Sequence, residues 1–304
     1  MPKIKLDNTP EFKLGLKLFQ MDKLVPDPAI AMVAKRGSGK SWVIRDVLRV
    51  NQSIPSGIVI SPTDKMSSFY KDFVPDIFIY YDQETEPLRT ILTKLLEHQV
   101  QKIEKQKTKL LQGKKIDPRA FLVMDDCLAS KSKWLKEQTI REIFQNGRHY
   151  KLLYILAMQF PLGIPPELRS NFDYVFLLRE DFASNLKRIY DHYAGMFPTF
   201  NIFQRVFNIC TAEYRCMVIN NRGSGTDLTD KVFFYKAKNI KNFTVGCAQY
   251  KLFHTLHYNP NFSKQKSKYT IEDGNIKVNF ANPNDKSNID KNNEKEDKLL
   301  LVPN

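Results

Sequence analysis

The chain reads as an α/β protein with a mostly parallel central sheet flanked by helices, and three observations predict that class. Short, wholly apolar segments such as Ile30-Ala31-Met32-Val33 and Ala120-Phe121-Leu122-Val123-Met124 have strand length and no polar alternation. That is the pattern of strands buried on both faces. Between them lie stretches with apolar residues at helical spacing. The 304 residues, 42% of them hydrophobic, suffice for one large domain or two small ones.

Taken in order, the first strand runs directly into Ala34-Lys35-Arg36-Gly37-Ser38-Gly39-Lys40-Ser41, and residues 42–50 then read as a helix. This is a phosphate-binding loop in its proper strand–loop–helix setting. Gly37 and Gly39 let successive N–H groups point inward at a phosphate, and the helix adds its positive end. Lys40 can reach the β- and γ-phosphates of ATP, and the Ser41 hydroxyl can ligate Mg²⁺. Ala34 stands where the usual pattern has its first glycine, a mild departure because a strand end needs only ordinary φ/ψ.

Residues 57–61 form a short buried strand closed by Pro62, and residues 77–81 a further strand. Pro87 opens a long helix to about Leu111, with Leu88, Ile91, Leu92, Leu95 and Leu96 as its apolar stripe. Its far end is crowded by Lys102, Lys105, Lys107, Lys109, Lys114 and Lys115, a solvated face or a contact for a phosphate backbone. Ala120 to Met124 is the pattern of a central strand and ends in Asp125-Asp126; a helix follows over 134–145. Residues 152–158 and 174–178 are the next buried strands, with a helix over 184–193. Residues 199–211 look helical, and 214–219 and 231–235 look like strands around the turn Arg222-Gly223-Ser224-Gly225. From about Asn259 the chain is rich in Asn, Lys, Asp and Ser, and a disordered tail is expected, ending in the apolar patch Leu299-Leu300-Leu301-Val302-Pro303. The division is therefore an N-terminal extension (1–25), one domain (26–258) and the tail (259–304); no internal repeat is present.

The net charge of +14 points to an anionic partner, most often nucleic acid. Four cysteines without a C-x-x-C pair suit a reduced, intracellular chain, and Cys247, His254 and His257 are too loosely spaced to read as a zinc site. Residues 1–23 lack the apolar run of a signal peptide, and no stretch reaches the ~18–20 apolar residues of a membrane span.

A carboxylate at the tip of a buried strand, downstream of a phosphate loop, has a specific task. Asp125 can hold Mg²⁺ beside Ser41, and Asp126 is placed to orient and deprotonate an attacking water. Two adjacent acids suit a hydrolase rather than a small-molecule kinase, which must exclude water; the bland alternative is a helix cap. Gln159, at the end of the 152–158 strand, would lie near the γ-phosphate and sense it. Arg148, in Asn146-Gly147-Arg148-His149, sits on a turn from which an arginine can be aimed at a neighbouring subunit, and Arg169 is a second candidate.

In this order the motifs resemble the genome-packaging ATPases of the nucleocytoplasmic large DNA viruses, the poxvirus-type family within the FtsK/HerA superfamily. The resemblance covers roughly residues 25–195. It is carried most specifically by Asn146-Gly147-Arg148-His149, Met158-Gln159, Ile164-Pro165, Leu168-Arg169-Ser170-Asn171 and the helix around Asn185. Asp-Asp replaces the superfamily's commoner Asp-Glu. The resemblance implies a P-loop NTPase of the ASCE (RecA-like) type, assembled as a homo-oligomeric ring, a pentamer or hexamer, that drives double-stranded DNA into a preformed capsid through its portal vertex. It places Lys40 and Ser41 on phosphate and metal, Asp125 on the metal, Asp126 as base, Gln159 as sensor and Arg148 as the arginine acting in trans. It also implies a place in the virion and in cytoplasmic viral factories. A DNA-transfer or helicase-like ATPase, a nucleotide kinase and a non-catalytic DNA-binding protein are the alternatives.

Overall fold

In the computed structural model, the described residues are 15–81, 85–127, 137–222, 225–240, 242–260, 269–272 and 275–278. The chain divides into two compact units, residues 1–255 and 256–304.

The first unit is an α/β fold around a nine-stranded sheet. Its strands are β1 (Lys17–Leu18), β2 (Ala29–Val33), β3 (Ser56–Ile60), β4 (Ile79–Tyr80), β5 (Ala120–Asp125), β6 (Leu152–Met158), β7 (Tyr174–Leu177), β8 (Arg215–Asn220) and β9 (Val232–Lys236). Their order is β1-β9-β8-β7-β2-β6-β5-β3-β4. From β7 through β4 every pairing is parallel; β8 is antiparallel to both neighbours. The strand ending in Gln159 thus lies between the phosphate-loop strand and the acidic strand.

The central strands are buried on both sides because helices cover both faces. One face packs Ala31, Val33, Leu122, Met124, Tyr154 and Leu156 under α3 (Thr85–Leu111), α4 (Gln138–Asn146), α6 (Ala183–Tyr193) and α7 (Phe200–Cys210). The other packs Ile30, Met32, Phe121, Val123, Leu153 and Ile155 under α1 (Lys40–Val50) and the segment around Tyr70 and Phe73. Alternate residues of one strand serve opposite faces, as the two-residue period requires. Single-turn helices α2 (Asp64–Ser67), α5 (Pro166–Arg169) and α8 (Leu228–Lys231) fill connections, and α9 (Ala248–His257) follows β9.

Several boundaries differ from the sequence expectation. Helix α3 begins two residues before Pro87, which is allowed because a proline in the first turn forfeits no helical hydrogen bond. The strand expected at 77–81 shrinks to Ile79–Tyr80. Pro75 opens a 3₁₀ turn at Asp76–Phe78, and the Phe78 ring stacks on Tyr250 at 4.0 Å instead of extending the edge. Tyr214 falls off β8 because its φ of 61° is left-handed. Helix α4 starts at Gln138 and its expected first residues, from Trp134, lie outside the described residues. So do Gly223, Ser224 and most of the tail, where the described part is a short antiparallel ladder of Tyr269–Glu272 with Asn275–Val278.

Candidate nucleotide site at the carboxyl ends of the strands

Strand register brings the site together. Val33 of β2 is level with Met158 of β6 and Leu177 of β7, and Asp125 of β5 is level with Ala157. The phosphate loop, Asp126 and Gln159 therefore leave one rim of the sheet side by side, the rim where α/β folds place ligands.

Ala34 still belongs to the strand: its N–H donates to the Met158 carbonyl at 3.0 Å, and it is 1% exposed. It has no positive φ, so nothing there requires glycine. The left-handed positions are Gly37 (φ 77°) and Gly39 (φ 98°), where glycine is needed. Ser38 steadies the turn through its hydroxyl, which donates to the Lys35 carbonyl at 2.7 Å. Lys35 is held from outside by an ion pair with Asp181, which Arg179 also pairs at 2.9 Å. These two cations, Lys35 first, draw the Asp181 carboxyl below its ordinary range. Arg36 and Ser41 complete the loop around the start of α1.

Lys40 reaches both acids. Its ammonium is 2.9 Å from Asp125 Oδ1 and pairs with Asp126 Oδ1. Gln159 Nε2 donates to the other oxygen of Asp126 at 3.0 Å. Burial pushes the Asp125 carboxyl up; Lys40 opposes that and Asp126 adds to it. Asp125 Oδ2 accepts from the Tyr70 hydroxyl at 2.8 Å. Burial, then the Asp125 charge, push that hydroxyl well up, so it stays a donor. Asp125 Oδ1 is buried, within ion-pair distance of Lys40 but without a directed hydrogen bond. A buried carboxylate oxygen with spare acceptor capacity, next to the phosphate-loop lysine, is a suitable donor for Mg²⁺. Asp126 has φ 55°, left-handed backbone in a non-glycine residue, and such strain concentrates at working sites.

Arg148 is not part of this cluster. It precedes β6 and so lies at the opposite rim, where its guanidinium donates to Asp173 Oδ1 at 2.6 Å. Asp173 is 4% exposed and also accepts from Arg222 at 3.1 Å and from the Ala29 N–H at 2.9 Å. β6 spans seven residues, roughly 20 Å, too far for Arg148 to reach the phosphate loop of its own chain. Arg169 is committed internally: it donates to the Ile164 carbonyl at 2.8 Å, meets His192 Nδ1 at 2.8 Å and lies over the Tyr193 ring.

Sequence reasoning missed Tyr70 and Asp181. Tyr70 is aimed by Asp64, which accepts from the N–H groups of Phe69 (2.7 Å) and Tyr70 (3.3 Å). An Asp opening a helical turn is a visible signal, but its reach to Asp125 depends on the fold. Among the described residues no group of three or more His, Cys, Asp or Glu side chains could hold a metal, and no helix is long and apolar enough to cross a membrane.

Comparison with known proteins gives the following. The uncharacterized protein L437 of Acanthamoeba polyphaga mimivirus is 47% identical over 279 residues, covering 88% of this chain and 96% of that protein. The uncharacterized protein 088R of Invertebrate iridescent virus 3 is 32% identical over 257 residues, 79% of this chain and 93% of that protein. Among solved structures, B204, the DNA-packaging ATPase of Sulfolobus turreted icosahedral virus, superposes with a TM-score of 0.50 at 16% identity. That match covers 71% of this chain and all (100%) of that one, a likeness of fold. No family model matches the chain.

Proposed function

We propose that the chain hydrolyses ATP to drive double-stranded DNA into a viral capsid; the premise is that it belongs to the poxvirus-type ATPase family of the nucleocytoplasmic large DNA viruses, in the FtsK/HerA superfamily. The observation that carries the reading is Lys40 held between Asp125 and Asp126, with Gln159 bonded to Asp126, beside a loop built to cradle phosphates.

In this reading the backbone of residues 35–41 wraps the β- and γ-phosphates, and Lys40 turns from the carboxylates to the γ-phosphate. Ser41 and Asp125 would hold Mg²⁺, whose charge offsets that developing on the phosphates. Tyr70 keeps the Asp125 carboxylate aimed. Asp126, relieved of Lys40, orients the attacking water and takes its proton. Gln159 stays bonded to Asp126 and links its position to the presence of the γ-phosphate. Arg148 lies out of reach of its own loop and is half exposed, 52% by side chain, which suits an arginine offered to the next subunit of a ring.

The DNA contact follows from charge. Lys105, Lys107, Lys114 and Lys115 are exposed around the end of α3 and can follow phosphates without reading bases. Lys102 is excluded from that face: it is tied to Ser56 at 2.6 Å and to Gln99 at 3.1 Å, and burial lowers its pKa. The test is ATP turnover with and without double-stranded DNA. DNA-stimulated hydrolysis is expected. Turnover indifferent to DNA, with phosphate passed to a nucleoside or nucleotide acceptor, would contradict the motor.

A further inference from the structure

We infer that Tyr214 is the platform on which the base of the bound nucleotide stacks, a role that rests on the ATP reading above. Three independent features point to it.

The first is position. Leu177 of β7 pairs with Met217 of antiparallel β8, so the start of β8 reaches the same rim as the phosphate loop. In the strand order, β8 lies on the side of β2 away from β6 and β5. The γ-phosphate belongs with Lys40, Asp125 and Asp126 on the β6–β5 side. A triphosphate laid along the loop in that direction sends its ribose and base out over the β7–β8 side.

The second is the ring itself. A Cβ placed on Gly39 would lie 3.8 Å from Tyr214 Cδ1, so the ring rests against the loop one residue before Lys40. Tyr214 is nonetheless 71% exposed, and its hydroxyl makes no hydrogen bond among the described residues. Elsewhere the exposed Trp42 indole at least faces the Arg45 guanidinium at 5.2 Å. Tyr214 has one open aromatic face beside a phosphate site.

The third is strain. Glu213 (φ 53°, ψ 43°) and Tyr214 (φ 61°) are consecutive non-glycine residues in the left-handed region. L-residues avoid that conformation, and the surroundings must hold it. Arg215 closes the turn by donating to the Ala212 carbonyl at 3.0 Å. The outcome of the two left-handed residues is that the ring leaves the line of β8 and stands by the loop.

Every base has a π-face, so such a platform adds affinity for a nucleotide over bare polyphosphate without strongly separating ATP from GTP. The test is equilibrium binding of ATP, GTP and inorganic tripolyphosphate to the full chain and to Tyr214→Phe, Tyr214→Ala and Tyr214→Gly. Tyr214→Ala is expected to weaken ATP and GTP about 5- to 100-fold and to leave tripolyphosphate unchanged; Tyr214→Phe keeps both. Tyr214→Gly should match Tyr214→Ala although glycine relieves the left-handed strain, which separates loss of the ring from damage to the turn. Unchanged ATP binding in Tyr214→Ala, or equal weakening of ATP and tripolyphosphate, would overturn the assignment. A wild type that binds neither ATP nor tripolyphosphate would overturn the ATP reading itself, and Tyr214 with it.

Discussion

The two rims of the central sheet hold their charges in opposite ways. At the carboxyl rim, Lys40, Asp125 and Asp126 are 10%, 5% and 16% exposed by side chain and pair with one another directly. At the amino rim the charge is basic and open. Arg148 and Arg222 share the buried Asp173, and Lys114, Lys115 and Lys151 face solvent around the starts of β5 and β6. One rim is a compact set in which a lysine and two acids answer one another. The other mixes arginines paired with carboxylates, Arg148 and Arg222 with Asp173 and Arg119 with Asp117, with lysines that face solvent. The parallel strands from β7 through β4 cause this division: residues that follow them gather at one rim and residues that precede them at the other, while antiparallel β8 reverses the rule, bringing Tyr214 to the carboxyl rim and Arg222 to the amino rim.

Substitutions at the two rims should therefore fail differently. Lys40→Ala is expected to abolish both ATP binding and turnover, because it removes the cation that meets the phosphates and leaves two adjacent acids unopposed; binding and steady-state assays check it. Arg148→Ala should lower turnover by about 10³-fold or more while ATP still binds, since a trans-acting arginine serves the transition state. If Arg148→Ala weakened ATP binding in an isolated subunit, the separation of the rims would be wrong. Asp126→Asn should cost about 10²–10⁴ in kcat with binding kept, the range for removing a general base.

Smaller effects sharpen the contrast. Lys114→Glu with Lys115→Glu should reduce DNA stimulation several-fold. The same pair should make the salt dependence of DNA binding shallower, by about one unit of slope for each phosphate no longer neutralised. Tyr70→Phe should cost about 2 kcal/mol of stability, read by denaturant unfolding, because a buried carboxylate loses one hydrogen bond. A wholly neutral Tyr70→Phe would mean that Asp125 needs no such support.

The carboxyl rim was largely legible in sequence because its chemistry is local. The loop from Ala34 to Ser41 is contiguous, and Asp125, Asp126 and Gln159 each sit at the end of an apolar run whose length marks the strand. Register then does the rest, since parallel strands ending together bring those ends together. Tyr70 and Tyr214 were not legible. Tyr70 reaches Asp125 through a 3₁₀ turn after β3, and Tyr214 reads as the first residue of a strand until its left-handed φ is seen. The amino rim was half legible: Arg148 could be picked out on its turn, but not its bond to Asp173, because the pairing spans 25 residues with β6 and α5 between them. The same distance along β6 that separates Arg148 from Gln159 makes the claim of action across subunits a geometric one.

That claim has a direct measurement. Arg148→Ala subunits and Asp126→Asn subunits, each inactive alone, are mixed in the presence of double-stranded DNA and assayed for ATP turnover. At some interfaces an intact Asp126 then meets an intact Arg148. Part of the wild-type turnover should return. A mixture no more active than either variant alone would contradict a site built from both rims of neighbouring chains.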